Sequence, residues 1–295
     1  MPNSKEIKWR IKSVSNTKKI TKAMELISTV KMKKAQDNVA SSRPFALTSL
    51  KILSKVFDEV KEEKVKKLGK ELAVVITSNK GFCWGYNVNS FKQVLKHKNE
   101  NPEIKIDYIS IWKKARDFIG RTGENLILDF SQEVKDDISV AFSKKISRTI
   151  MNVFREWKYD RIVVIYSYYL SAISQKWVAK QFFPINKEDI VDYLVNIAGQ
   201  KFEMENKSLD YKFEPSKQSI YDNALPLILD MIFYEILLES KASEHASRMV
   251  AMKNAKDNAG KKVFDLTLEY NKARQAWITK EISEIVSWVE SMKDM

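Results

Sequence analysis

The 295-residue sequence contains one cysteine, Cys83, and two histidines, His97 and His245. A single thiol excludes an intramolecular disulfide and any cysteine-rich metal site, and two imidazoles so far apart do not suggest a zinc site. Glycine (7) and proline (6) are scarce, which favours long uninterrupted elements over a loop-rich architecture. No apolar run reaches the 18 residues of a membrane-spanning helix, and the basic N-terminus lacks the apolar stretch of a signal peptide. The expectation is a soluble chain with no direct membrane insertion. Also missing are G-x-x-x-x-G-K-[ST], G-x-G-x-x-G and H-E-x-x-H, and two distant histidines complete no Ser-His-Asp set. No catalytic residue, cofactor or metal ligand is therefore expected.

Two near-misses need weighing. Gly81 and Gly85 sit between a strand and a helix, where a phosphate loop would lie, but their spacing is wrong and no Lys-Ser/Thr follows. A structural turn is the better reading. Cys83, with no histidine near it in sequence, reads as a packed residue, and His245 as a residue tolerated on a helix seam.

What is present is charge and period. The net charge is +13, and residues 1–40 carry ten Lys/Arg against Glu6, Glu25 and Asp37. Such a surplus suits an acidic partner: a protein surface, an anionic lipid or a nucleic acid. From about Ser4 to Lys61 helix formers dominate, and Pro44 is the only interior breaker. Ile7, Ile11 and Val14 give an apolar spacing that Ile20, Met24 and Ile27 repeat in a shifted phase. From Ile228 to Trp277 fifteen positions alternate in threes and fours, and twelve are apolar or aromatic. The seam then steps by one residue through Ile278, Ile282, Ile285, Val289 and Met292. A heptad pattern this long predicts a coiled coil, roughly 100 Å at 1.5 Å per residue. Two such helices at the two ends of one chain should pair antiparallel, with Ile20–Val30 beside the final third of the C-terminal helix.

Between them the texture changes. Leu72–Thr77, Ile104–Ile111, Glu124–Phe130 and Arg161–Ser167 are short β-branched or aromatic runs. Helical stretches near 88–98, 113–119 and 133–157 separate them, which implies a parallel α/β sheet. Runs at 176–183, 190–197 and 209–214 read as further strands. The fold class is therefore α/β: a long antiparallel two-helix coiled coil from the terminal helices, with an inserted Rossmann-like domain. The boundaries fall at 1–62 for the N-terminal helix, 68–215 for the α/β domain and 216–295 for the C-terminal helix.

Both ends also carry long motifs. Near the N-terminus stand Lys5-Glu6-Ile7, then Asn16 through Leu26 (NTKKITKAMEL), then Lys31 through Gln36 (KMKKAQ). Near the C-terminus stand Ser240 through Met252 (SKASEHASRMVAM), Asp257-Asn258-Ala259-Gly260, Tyr270 through Ala276 (YNKARQA) and Ile278-Thr279-Lys280-Glu281. Phe213-Glu214-Pro215-Ser216 and, in outline, Thr77–Asn87 add to them. In these stretches the chain resembles the gamma subunit of F-type ATP synthases. The resemblance implies a non-catalytic central rotor shaft, turning inside an alpha/beta-type hexamer of catalytic and non-catalytic subunits. It implies an epsilon-type subunit and a membrane rotor ring as further partners, at the cytoplasmic face of a bacterial membrane. It also implies that Lys22, Met24 and Lys31, and further on Arg274, Gln275 and Thr279, contact the catalytic subunits.

The chain departs from the family where Trp84, Trp277 and Trp288-Val289 replace small residues, so a divergent paralogue in an ATP-hydrolysing motor stays open. A basic nucleic-acid-binding coiled coil would account for the N-terminal charge, but no recognisable nucleic-acid module accompanies it. A tethering coiled coil would account for the heptads, but not for an α/β domain splitting them.

Overall fold

A computed structural model describes residues 4–57, 69–133, 137–198, 214 and 216–293. Helix α1 runs over Ser4–Phe57, and Pro44 lies within it, exposed, without ending it. The chain then forms β1 (Lys70–Val75), α2 (Trp84–Glu100), β2 (Lys105–Ser110), α3 (Lys113–Thr122), β3 (Leu126–Asp129) and α4 (Val140–Trp157). It continues through β4 (Arg161–Tyr169), β5 (Gln175–Phe183) and α5 (Lys187–Ala198), and ends in α6 (Lys217–Lys293), 77 residues long. Helix α6 thus begins three turns before the heptad pattern does, and takes in Pro226.

The chain divides into two compact units, residues 30–247 and residues 1–29 with 248–295. In the first, a five-stranded sheet has the order β3-β2-β1-β4-β5. The four strands from β3 to β4 are parallel, while β5 returns antiparallel to β4, so the sheet is mixed rather than wholly parallel. Leu72–Ile76 are fully buried, as a central parallel strand covered on both faces requires. Helices α2 and α3 cover one face through Val94, Ala115 and Ile119. Against the other lie α4 (Ile146, Ile150), α5 (Ile190, Tyr193), the end of α1 (Leu50, Leu53) and the start of α6 (Phe233, Leu237).

Residues 190–197, expected as a strand, are helical, and their β-branched content is overruled by the helix start. The Asp189 amide donates to Asn186 Oδ1 at 2.7 Å, and the Asn186 amide donates to the Asp189 carboxylate at 3.1 Å. That is a reciprocal capping box. The expected strand at 209–214 falls, but for Glu214, outside the described residues.

In the second unit α1 and α6 run antiparallel. Lys256 Nζ pairs with the Glu25 carboxylate at 2.7 Å. A Cβ added to Gly260 would lie 3.3 Å from Lys18 Nζ, so the end of the Lys18 side chain rests against α6 at this position. This register corrects the expected one. Ile20–Val30 lies beside the middle third of α6, because α1 starts where α6 still has about five turns to run. The expectation rested only on the two terminal helices forming one antiparallel rod. A zero-length carbodiimide cross-link in the full-length chain should join Glu25 to Lys256. Recovery of Glu25 joined to Lys280 instead would overturn the register.

The α1 seam also differs from the expected one. Ile7, Thr21, Ser28 and Ala35 are buried at strict seven-residue intervals, with Val14 half-buried on the same line. Ile20 and Ile27 stand 61% and 55% exposed. No shift of phase occurs; small and hydroxyl side chains carry the seam onward, and Thr21 turns its hydroxyl back to the Thr17 carbonyl at 3.0 Å.

Candidate functional site

In a doubly wound sheet, ligands bind beyond the carboxyl ends of the strands, where the strand order reverses. That point here lies between β1 and β4. It is filled by the chain itself. Tyr86, in the first turn of α2, donates its hydroxyl to the Ser240 carbonyl at 3.3 Å, and the Ser243 hydroxyl donates to the Ser167 carbonyl on β4 at 3.3 Å. Lys241 lies over the Trp112 ring at 4.2 Å and pairs with Glu244 at 3.0 Å, with both charged side chains almost wholly buried. Helix α6 therefore crosses the ends of β1, β2 and β4 as a plug.

The turn after β1 bonds inward rather than toward a ligand. The Ser78 amide donates to Asn87 Oδ1 at 3.2 Å, and the Ser78 hydroxyl lies 2.8 Å from the Lys80 carbonyl oxygen. Cys83 is buried with its thiol 3.4 Å from Ser78 Oγ. His245 is buried too, beside a small pocket of about 190 Å³ that Lys31, Lys34 and Lys241 also line. Among the described residues, no group of His, Cys, Asp and Glu side chains is arranged to hold a metal, and no helix is long and apolar enough to cross a membrane.

A second buried cluster lies where α6 passes β4 and α5. Glu235 lies 3.3 Å from the Ser42 hydroxyl, which also meets the Val39 carbonyl at 3.0 Å. Burial pushes its carboxyl up to about 7, against the Ser42 hydrogen bond and the Arg43 charge, which pull it down. Glu239, one turn on, is pushed up to about 8 by burial first and by Glu235 second.

The outward faces complete the picture. Trp9, Ile20, Leu26 and Ile27 are exposed on α1 among exposed lysines that include Lys19 and Lys22. On α6 every described residue from Arg274 to Met292 is exposed, including Trp277 (61%), Ile282 and Trp288 (72%). Of the residues expected to meet partners, Lys22, Arg274, Gln275 and Thr279 are exposed, while Met24 and Lys31 are half-buried. Thr279 returns its hydroxyl to the Gln275 carbonyl at 3.0 Å. Lys22 and Met24 do not gather with Arg274. Their neighbour Glu25 meets α6 at Lys256, 18 residues or about 27 Å along the helix from Arg274. The exposed Ile20 and Ile27 were missed as surface residues, although the seven-residue line Ile7, Val14, Thr21, Ser28, Ala35 was there to be found.

An α/β domain inserted into a two-helix coiled coil, its ligand crevice closed by one of those helices, defines a stalk-type subunit. The family model described as "ATP synthase" matches residues 3–292. The ATP synthase gamma chain of Halothermothrix orenii is 36% identical over 300 residues, covering 99% of this chain and 100% of the relative. That of Christiangramia forsetii is 40% identical over 302 residues, covering 99% of each. This chain belongs to the ATP synthase gamma-chain family. Its fold is also that of the rotor of the Euglena gracilis mitochondrial ATP synthase, at a TM-score of 0.62 and 22% identity, covering 94% of this chain and 100% of that one. The central stalk of the Tetrahymena thermophila enzyme matches with a TM-score of 0.57 and 23% identity, covering 80% and 99%.

Proposed function

We infer that this chain is the central rotor shaft of a rotary F-type ATP synthase, coupling rotation to successive conformational changes in the catalytic subunits while catalysing nothing itself. The observation that carries this reading is the inversion of the α1 faces. Thr21 and Ser28 face the companion helix, while Ile20, Leu26 and Ile27 face out. Large apolar side chains on an outer helix face, among lysines, mark a surface built for partners. The alpha/beta-type hexamer is that partner. An epsilon-type subunit and the membrane rotor ring bind elsewhere on the chain, peripherally at the cytoplasmic face of the bacterial membrane. The names of the similar proteins and the plugged crevice support this assignment together.

Lys22, Met24, Lys31, Arg274, Gln275 and Thr279 are assigned to contacts with the catalytic subunits. Arginine offers five donors in a fixed fork, suited to carboxylates and carbonyls on a passing loop. Losing one charge-assisted hydrogen bond removes on the order of 1.5–3 kcal/mol. The double variant Arg274→Ala, Gln275→Ala, assembled with wild-type catalytic subunits, should hydrolyse ATP several-fold more slowly. Its helicity and thermal midpoint should not change, since both residues are exposed. Unchanged turnover and torque would remove these two residues from the contact.

A further inference from the structure

We propose that Glu235 and Glu239 form a proton-dependent clasp between α6 and the β4, β5 and α5 side of the sheet, tight when protonated and loosened when both carboxylates ionise. The two lie one turn apart on one face of α6, so ionising both sets like charges at i, i+4 spacing. Glu235 is 7% exposed. Its one polar contact here is the Ser42 hydroxyl at 3.3 Å, and that hydroxyl's single proton has a nearer acceptor in the Val39 carbonyl at 3.0 Å. Among the described residues, Glu239 has neither a hydrogen bond nor an ion pair, although it is only partly accessible.

The groups facing the pair do not compensate two negative charges. Helix α1 offers Ser42 and the exposed Arg43. Strand β4 presents Tyr166 and Tyr168. Strand β5 presents Lys180, already paired with Asp192 and lying 5.2 Å from the Tyr193 ring. Helix α5 adds Asp189, Asp192 and Tyr193, two of which are further carboxyls. Burial pushes Tyr168 up to about 12 and Tyr166 and Tyr193 higher still, so the tyrosines stay neutral while the carboxyls titrate. Buried carboxyls whose only facing cations are an exposed arginine and a lysine already paired elsewhere resolve this environment by holding their protons. A rise in pH through about 7 and then about 8 therefore forces charge into the joint. Water must enter to solvate it, and α6 must part from β4 and α5 to admit the water.

Hydrogen exchange of the α6 amides at 233–243, measured in the full-length chain and corrected for intrinsic pH dependence, tests the clasp. Between pH 6 and pH 9 their protection should fall by roughly ten-fold or more, while that of α3 amides stays level. The double variant Glu235→Gln, Glu239→Gln should show no such fall. Arg43→Gln should move the fall to higher pH, because the Arg43 charge lowers both carboxyls. It serves as the test should the double variant not fold. A level profile in the wild type, a fall that persists in the glutamine variant, or an unmoved fall in Arg43→Gln would each overturn the proposal.

Discussion

Replacing Phe233 with alanine should cost the 30–247 unit about 3–5 kcal/mol, the range for removing a buried aromatic ring from a packed core. Phe233 has no exposed surface and meets the equally buried Phe182 edge to face, with centroids 5.8 Å apart and planes at 63°. It joins α6 to β5 and lies one residue past Ile232 and four before Leu237, all in the same core. The cavity has no easy route to collapse, because its walls belong to a sheet and a long helix that are each fixed elsewhere. Chemical denaturation followed by circular dichroism gives the measurement, and Phe233→Leu, which keeps most of the volume, should lose clearly less. A loss below about 1 kcal/mol for the alanine variant would mean that α6 is not held to the sheet at this point.

A second large effect should appear in stability as a function of pH. Glu239 titrates at about 8 in the folded chain, against 4.5 for an unperturbed glutamate. Between those values the folded state holds a proton that the unfolded state has released, so stability falls as pH rises through this window. Below pH 4.5 both states are protonated and the penalty vanishes; above pH 8 it is complete. At about 1.4 kcal/mol per unit, and allowing for relaxation around the charge, Glu239→Gln should gain on the order of 3 kcal/mol at pH 9. At pH 5 it should gain little. Unfolding curves for the two proteins at several pH values decide the matter. A difference that does not grow with pH would show that Glu239 is already solvated in the native chain.

How far the sequence disclosed this molecule depended on what each segment buries. Strands β1, β2 and β4 were legible because they are buried on both faces and so are rich in apolar, β-branched and aromatic residues, with only Asp107, Ser110 and Ser167 as buried polar interruptions beyond their first two residues. The α6 seam was legible as far as Ala273, since Met252, Ala259 and Leu266 fall on it and are buried. The α1 seam was misread because Thr21 and Ser28 look like surface residues, while Ile20 and Ile27 look like core. Hydrophobic period finds the buried face only where the partner lies within the same chain. The helix register was beyond reach for another reason: two seven-residue repeats can be matched at several offsets with equal apolar content. The candidate contact residues came from motif resemblance alone, and nothing in their type separates Arg274 from any other exposed arginine. The clasp was missed because Glu235 is a charged interruption in the heptads, and only the fold reveals that it is buried and that tyrosines lie around Glu239 one turn on.

One consequence follows from the early start of α1 relative to the end of α6. From Arg274 onward α6 continues as one helix with no described companion, for some 20 residues or about 30 Å. Two helices locked by a seam resist twisting and bending together, whereas one helix resists with its own backbone alone. The second unit is thus two springs in series, a stiff one in which α1 and α6 share the load and a compliant one beyond it. Under an applied torque most of the angular strain gathers in the compliant stretch. Small steps imposed along the paired part are therefore passed on at once, while those imposed at the tip are first stored as twist.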